Sequence, residues 1–132
     1  MAYLTERDPH RGWILIRATG RIEIGDLLDT IRTVRTPIEA RMVPLLFDAR
    51  EAYGSLGHDD VEEMVAAVQR AVSVGGPRGH VAIVAADDAL YAGMLRYETR
   101  CAEIGVILIR VFRQLPDARE WLEIVSASRN FR

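Results

Sequence analysis

The sequence predicts an α/β domain built on a single-layer, mixed but mostly parallel five-stranded sheet with four helices. Three observations indicate this fold class. The continuous apolar runs VPLLF (43–47) and VAIVA (81–85) are typical of strands that are buried on both faces. Segments with helical spacing separate these runs, as in a parallel sheet covered by helices. Two β-rich runs follow one another near the start of the chain, so the predicted order is ββαβαβαβα.

Local signals place each element. The strands are predicted at 13–18, 21–24, 43–47, 81–85 and 106–112. The first two should pair as a hairpin, because only the Thr19-Gly20 break separates them. The helices are predicted between Gly25 and Pro37, from His58 or Asp59 to Gly75, from Asp87 or Asp88 to Gly105, and from Pro116 onward. Each helix carries apolar residues three or four positions apart, the spacing that buries one helix face.

Composition and charge exclude several classes of protein. The 132 residues are 49% hydrophobic and 27% charged, which predicts one globular domain over 1–132 with its core at about 12–126. A net charge of −2 gives no cationic field for nucleic acid. No apolar run approaches the roughly 20 residues of a membrane-spanning helix, and the amino end lacks an export signal. We therefore expect a cytoplasmic protein that neither binds nucleic acid nor inserts into membranes.

The sequence offers no catalytic constellation. His10, His58 and His80 fall in a tail, a loop and a turn without metal-ligand spacing. Cys101 is the single cysteine and lies on the apolar stripe of the third helix, where burial makes a thiol a poor nucleophile. The sequence therefore predicts no enzyme activity, no catalytic residue and no cofactor.

Three aspartates, Asp48, Asp87 and Asp88, fall at the carboxyl ends of predicted strands, where carboxylates can gather around a hard cation. Helix caps and turns explain the same residues, and no phosphate-binding loop accompanies them. We therefore predict no metal site.

Four segments occur in an order that resembles one family of bacterial proteins. They are GRIEIGDLLDTI (20–31), LLFDARE (45–51), HVAIVAADD (80–88) and RVFRQLPDAREWL (110–122). Over Gly12 to about Leu122 the chain resembles the SpoIIAA-like proteins, which are related to STAS domains and more distantly to CRAL-TRIO lipid-binding domains. This resemblance implies a mixed sheet with surrounding helices, frequent self-association, and either regulatory protein contacts or an apolar small ligand.

The resemblance also indicates a candidate regulatory loop, formed by Asp48, Ser55 and His58. Anti-sigma-factor antagonists of the STAS class have an Asp at the end of the third strand, which Asp48 matches, and then an Asp-Ser-Ser-Gly loop with a phosphorylated serine. Here the loop reads AYGSLGHDD (52–60), and its only hydroxyls belong to Tyr53 and Ser55. A phosphate on Ser55 would add negative charge near a helix start. In the alternative interpretation Ser55 bonds to local backbone, and His58 or Asp59 caps the second helix.

The third helix has more apolar surface than one face needs. Tyr91 and Leu95 lie about 100° around the helix axis from Leu90 and Met94, which belong to the core-facing stripe. The additional surface could contact a two-fold mate, or it could line a groove with Tyr53 at the carboxyl ends of the strands. The candidate ligand-binding or interface residues are Tyr53, Leu90, Tyr91, Met94, Leu95 and Tyr97.

We therefore predict a non-catalytic binding module that takes a nonpolar small molecule or lipid-like ligand as a homodimer. The alternative is a STAS-type regulatory module that binds a protein partner and is switched by phosphorylation.

Overall fold

Strands and helices alternate along the computed structural model, which describes residues 1–33, 43–75, 79–105 and 107–130. The strands are β1 (Ala2–Arg7), β2 (Ile14–Arg21), β3 (Leu45–Tyr53), β4 (Val81–Ala85) and β5 (Ile109–Phe112). The described helices of ten or more residues are α1 (Ile24–Thr33), α2 (His58–Gly75), α3 (Asp88–Ile104) and α4 (Leu115–Asn130). The predicted α/β class and the order ββαβαβαβα are confirmed.

The amino-terminal hairpin is formed by other residues than those predicted. β1 pairs antiparallel with β2 in a regular register, so the predicted pairing of 13–18 with 21–24 is wrong. Gly20 does not break β2, because it keeps its place in the ladder opposite Ala52 with a φ of 86°. Ile24 already begins α1. The prediction missed β1 because all of its residues are exposed, which leaves no buried periodicity in AYLTER.

The sheet is mixed and its strands lie side by side in chain order, β1-β2-β3-β4-β5. β1 runs antiparallel to β2, and the other neighbouring pairs are parallel. The pairing of β2 with β3 shifts register between Arg17 and Thr19. β3 continues to Tyr53, six residues beyond the predicted end at 47, because its last residues pair with β2 although most of their side chains are exposed.

Helices cover the two faces of the sheet unequally. The face toward α1, α2 and α3 contributes alternate strand residues to the larger core: Ile14, Ile16, Ala18, Leu45, Phe47, Ala49, Ile83, Ala85, Ile109 and Val111. The opposite face meets α4 in a smaller buried cluster: Trp13, Leu46, Ala82, Val84, Ala118 and Leu122. The alternation of side chains along each strand thus sorts the apolar residues into two separate cores.

The ends of α3 follow from their capping residues, as predicted. Asp87 is the N-cap, and its carboxylate accepts a hydrogen bond from the backbone N–H of Leu90 at 3.0 Å. Gly105 ends the helix with a φ of 76°, and its N–H donates to the carbonyl of Cys101 at 2.8 Å. The predicted end of the first helix at Pro37 lies outside the described residues, as does residue 106 at the predicted start of the last strand.

Candidate functional site

An apolar cavity of about 80 Å³ lies between the sheet and the three helices α1, α2 and α3, on the face that carries the larger core. Its walls are Leu27, Thr30, Ile31, Leu45, Phe47, Met64, Val68, Ala71, Val81, Ile83, Met94, Tyr97, Ile107 and Ile109. The cavity exists because the inward stripes of α1, α2 and α3 meet over the sheet without filling the space between them. Of these walls, sequence reasoning selected as site residues only the two from α3, since a stripe reports which side is buried but not where packing leaves a gap.

The described walls of the cavity carry no charged side chain. Thr30 is buried, and its hydroxyl donates to the backbone carbonyl of Asp26 at 2.9 Å, so it is already satisfied within α1. Four lining residues are only half-buried: Ile31, Ala71, Val81 and Ile107. Val81 begins β4, which places this more accessible side of the cavity at the amino ends of the parallel strands. The chemistry of the walls suits an uncharged apolar group.

The candidate residues of α3 separate into two groups. Leu90, Met94 and Tyr97 are buried in the larger core, and Met94 and Tyr97 also line the cavity. Tyr91 and Leu95 are half-buried and pack against the same core. Tyr91 also has the Arg113 guanidinium 4.7 Å from its ring centre. The additional apolar surface of α3 is therefore partly covered within the chain.

Tyr53 does not join this group. It is the last residue of β3 and 53% exposed, at the carboxyl end of the strand. The cavity lies toward the amino ends of the strands, and Tyr53 is absent from its walls. The structure thus separates the cavity from the position of the groove with Tyr53, which the sequence offered as one of two alternatives.

The loop after β3 is fastened to α3 on both sides of Ser55. The N–H of Gly54 donates to the Asp87 carboxylate at 3.3 Å, and Arg96 donates to the carbonyl of Leu56 at 2.5 Å. Leu56 is 2% exposed, so its side chain anchors the loop in the core. Ser55 itself is exposed. The loop therefore presents one hydroxyl to solvent on a fixed backbone.

Charged groups surround Ser55 on the neighbouring elements. Arg21, Glu23 and Asp60 line the same surface depression as Ser55. Asp60 also accepts a hydrogen bond from the N–H of Gly57 at 3.0 Å, the bond by which the third residue of a helix reaches back to the N-cap position, here Gly57. The predicted cap, His58 or Asp59, is therefore wrong: His58 is the exposed first residue of the helix.

Asp48 lies inside β3, so its predicted position at the strand end is wrong. Its carboxylate accepts two hydrogen bonds of 2.9 Å from the Arg50 guanidinium. Partial burial is the largest single influence and raises the pKa of Asp48, but the hydrogen bonds from Arg50 and the positive charges of Arg50 and Arg17 together outweigh it, so the pKa lies below its ordinary value. Because Arg50 and Leu46 share its side of the strand, Asp48 faces away from the cavity, on the α4 side of the sheet.

Solved structures resemble this chain over nearly its whole length. An uncharacterized protein of the DUF3478 family from Shewanella loihica PV-4, with a SpoIIAA-like fold, matches with a TM-score of 0.52 and 18% identity, covering 92% of each chain. The chain has a SpoIIAA-like fold. An anti-sigma factor antagonist from Mycobacterium paratuberculosis matches this SpoIIAA-like domain with a TM-score of 0.51 and 17% identity, covering 92% of this chain and 95% of that one. No protein-family model and no curated protein sequence matches.

Within the described part of this SpoIIAA-like domain, no group of three or more His, Cys, Asp or Glu residues is placed to hold a metal ion. Asp87 serves as the cap of α3, and Asp88 pairs with Arg113 at 2.5 Å. Burial raises the pKa of the Cys101 thiol to about 11, which keeps it protonated at neutral pH. Among the described residues, no helix has the length and apolar character needed to cross a membrane.

Proposed function

We propose that this SpoIIAA-like domain is a non-catalytic binding module whose cavity takes a small, uncharged, nonpolar molecule. The observation that supports this function is the uncharged and mostly apolar wall around about 80 Å³ of space, in which Thr30 and Tyr97 are the polar side chains among the described residues. Such a space exceeds the roughly 10–15 Å³ that one water needs, yet its walls give water few hydrogen-bonding partners. Apolar cavities of this kind stay dry and accept apolar molecules.

The size of the cavity narrows the ligand class. It is about half of the ~150 Å³ apolar cavity that accepts benzene. A short aliphatic group fits, and each buried methylene contributes about 0.8 kcal/mol. A longer chain would place its end in the cavity and leave through the half-buried side near Ala71 and Ile107. We therefore expect an aliphatic alcohol or a similar neutral chain to bind, and a charged analogue of equal length to bind less well.

Replacing Ala71 by leucine should weaken the binding of 1-hexanol at least tenfold, because the larger side chain would occupy the accessible side of the cavity. Ser73→Leu is the matched control, since it adds a leucine on the same helix at an exposed position. Calorimetric titration measures both affinities. Equal binding by wild type and Ala71→Leu, or no binding of 1-hexanol by wild type, would contradict this function.

A second function, regulation of a protein partner, has its own support in the fold shared with the anti-sigma factor antagonist and in the exposed Ser55. The partner class is then an anti-sigma factor. Phosphate on Ser55 would bring about −1.5 to −2 charges into a depression lined by two carboxylates, Glu23 and Asp60, and one guanidinium, Arg21. Because the carboxylates outnumber the guanidinium, net repulsion would disturb the loop or a partner docked on it.

Ser55→Asp should therefore weaken binding to a cognate anti-sigma factor at least tenfold, whereas Ser55→Ala should leave this binding unchanged. Surface plasmon resonance with the purified anti-sigma factors of the source organism measures both variants. If the aspartate variant and the alanine variant bound equally, Ser55 would have no role as a switch.

A further inference from the structure

The outer edge of β1 is unpaired in the part of the chain that the structure describes. β1 lies at one end of the strand order, and its six residues are all exposed. Two consecutive residues there carry large exposed apolar side chains, one on each face of the sheet: Tyr3 is 40% exposed and Leu4 is 56% exposed. An edge with free backbone groups and apolar side chains is a template for another strand.

The direction of the free backbone groups follows from the ladder with β2. The N–H of Asp8 donates to the carbonyl of Trp13 at 2.8 Å, in the same register as the six pairs of β1 with β2. Antiparallel ladders alternate between bonded and non-bonded pairs, so the even-numbered residues of β1 bond to β2. The N–H and C=O groups of Tyr3, Thr5 and Arg7 therefore point to the outer edge.

The opposite edge of the sheet is protected. There the Glu98 carboxylate accepts a hydrogen bond from the N–H of Val111 in β5 at 2.7 Å. Proteins also protect edge strands with charged side chains, proline or bulges. β1 has no proline and a regular register with β2, and its charged residues, Glu6 and Arg7, are confined to its last two positions. The contrast between the two edges indicates that the outer backbone groups of β1 are available to pair with another strand.

We propose that β1 pairs antiparallel with β1 of a second copy of this chain, across a two-fold axis at Thr5. This register joins all three outward-facing residues of each copy: Thr5 to Thr5 of the partner subunit, and Tyr3 to Arg7 of the partner subunit. Two five-stranded sheets become one continuous sheet. In an isologous contact of this kind each bond occurs twice.

Side-chain chemistry favours the same register. The guanidinium of Arg7 donates to the carbonyl of Gly12 at 3.2 Å within its own chain, and in this register its planar face comes opposite the ring of Tyr3 of the partner subunit, as in a cation–π pair. No charged residue lies directly opposite one of like sign. A two-fold axis at Leu4 would instead place Arg7 opposite Met1, whose amino group already pairs with Asp26 at 3.5 Å. A second copy therefore fits the edge better with its axis at Thr5.

Sedimentation equilibrium tests the pairing. Wild type should have twice the mass of the 14.8 kDa chain, and Thr5→Pro should be a monomer at concentrations at least tenfold above the wild-type Kd. Proline removes the outward N–H and leaves the bonds to β2 intact. Thr5→Val keeps the N–H and should remain a dimer. A monomeric wild type, or a Thr5→Pro dimer as tight as wild type, would overturn the proposal.

A charge-pair experiment tests the register and does not depend on the proline variant folding. Thr5→Lys and Thr5→Glu each place like charges opposite each other across the axis, so each alone should dimerise at least tenfold more weakly than wild type. Mixing the two should restore a heterodimer, seen by native mass spectrometry. If mixing restored nothing, position 5 would not face itself and the two-fold axis at Thr5 would be wrong.

Discussion

Replacing Leu122 with alanine should lower the free energy of unfolding by about 2–5 kcal/mol. Leu122 is 0% exposed and, with Ala118, forms the contribution of α4 to the small buried cluster on its face of the sheet. After the substitution the fully buried side chains of the helix in that cluster would be alanines, and its larger side chains there would be the half-buried Leu115, Trp121 and Val125. The cost has two parts, the lost burial of the leucine and the cavity left behind.

Urea denaturation followed by circular dichroism measures this change, and the midpoint should fall without a change in m-value. Ile124→Ala is the matched control, because this side chain is on the same helix and is 58% exposed. Its effect should stay within about 0.5 kcal/mol. If the two substitutions cost the same, α4 would not depend on Leu122 for its packing against the sheet.

Burial decided which elements could be predicted from the sequence. β4 lies between two strands and under helices, so VAIVA remains an uninterrupted apolar run with one interpretation. The ends of α3 were predictable for a different reason. Asp87 has a side chain that can accept a hydrogen bond at a helix start, and Gly105 can adopt the left-handed backbone that ends a helix. Local chemistry and burial point to the same structure at these places.

Exposure and packing gaps account for what could not be predicted. β1 has no buried face, and the last residues of β3 are held by backbone pairing rather than by an apolar pattern. The predicted strand end at Asp48 failed for that reason. The cavity is harder still, because it depends on the volumes that three helices leave unfilled over the sheet. Periodicity identified Met94 and Tyr97 as core-facing, but a periodic stripe contains no information about neighbouring helices.

Replacing Gly93 with alanine should lower the free energy of unfolding by about 1–2 kcal/mol, although alanine favours helices more than glycine does. A Cβ at this buried position would lie 2.9 Å from the Cβ of Leu56. Overpacking typically costs about 1–3 kcal/mol. We expect a cost at the upper end of this range because Leu56 cannot move away easily. Its carbonyl accepts a hydrogen bond from Arg96, and the nearby N–H of Gly54 donates to Asp87. A gain of about 1 kcal/mol in helix propensity offsets only part of the cost.

Gly25→Ala is the control that separates the contact with Leu56 from the higher helix propensity of alanine. Gly25 is also in a helix, but a Cβ there would meet no atom within 4 Å, so this variant should gain about 0.4–1 kcal/mol. If the urea midpoint falls in Gly93→Ala and rises in Gly25→Ala, the destabilisation of Gly93→Ala comes from the contact of the new methyl group with Leu56. Hydrogen exchange at residues 54–57 should also quicken in Gly93→Ala, because α3 can admit the methyl group only if the loop carrying Ser55 moves away. If Gly93→Ala were more stable than wild type, the loop would move aside at no energetic cost, and the conclusion that the backbone around Ser55 is held in place would be wrong.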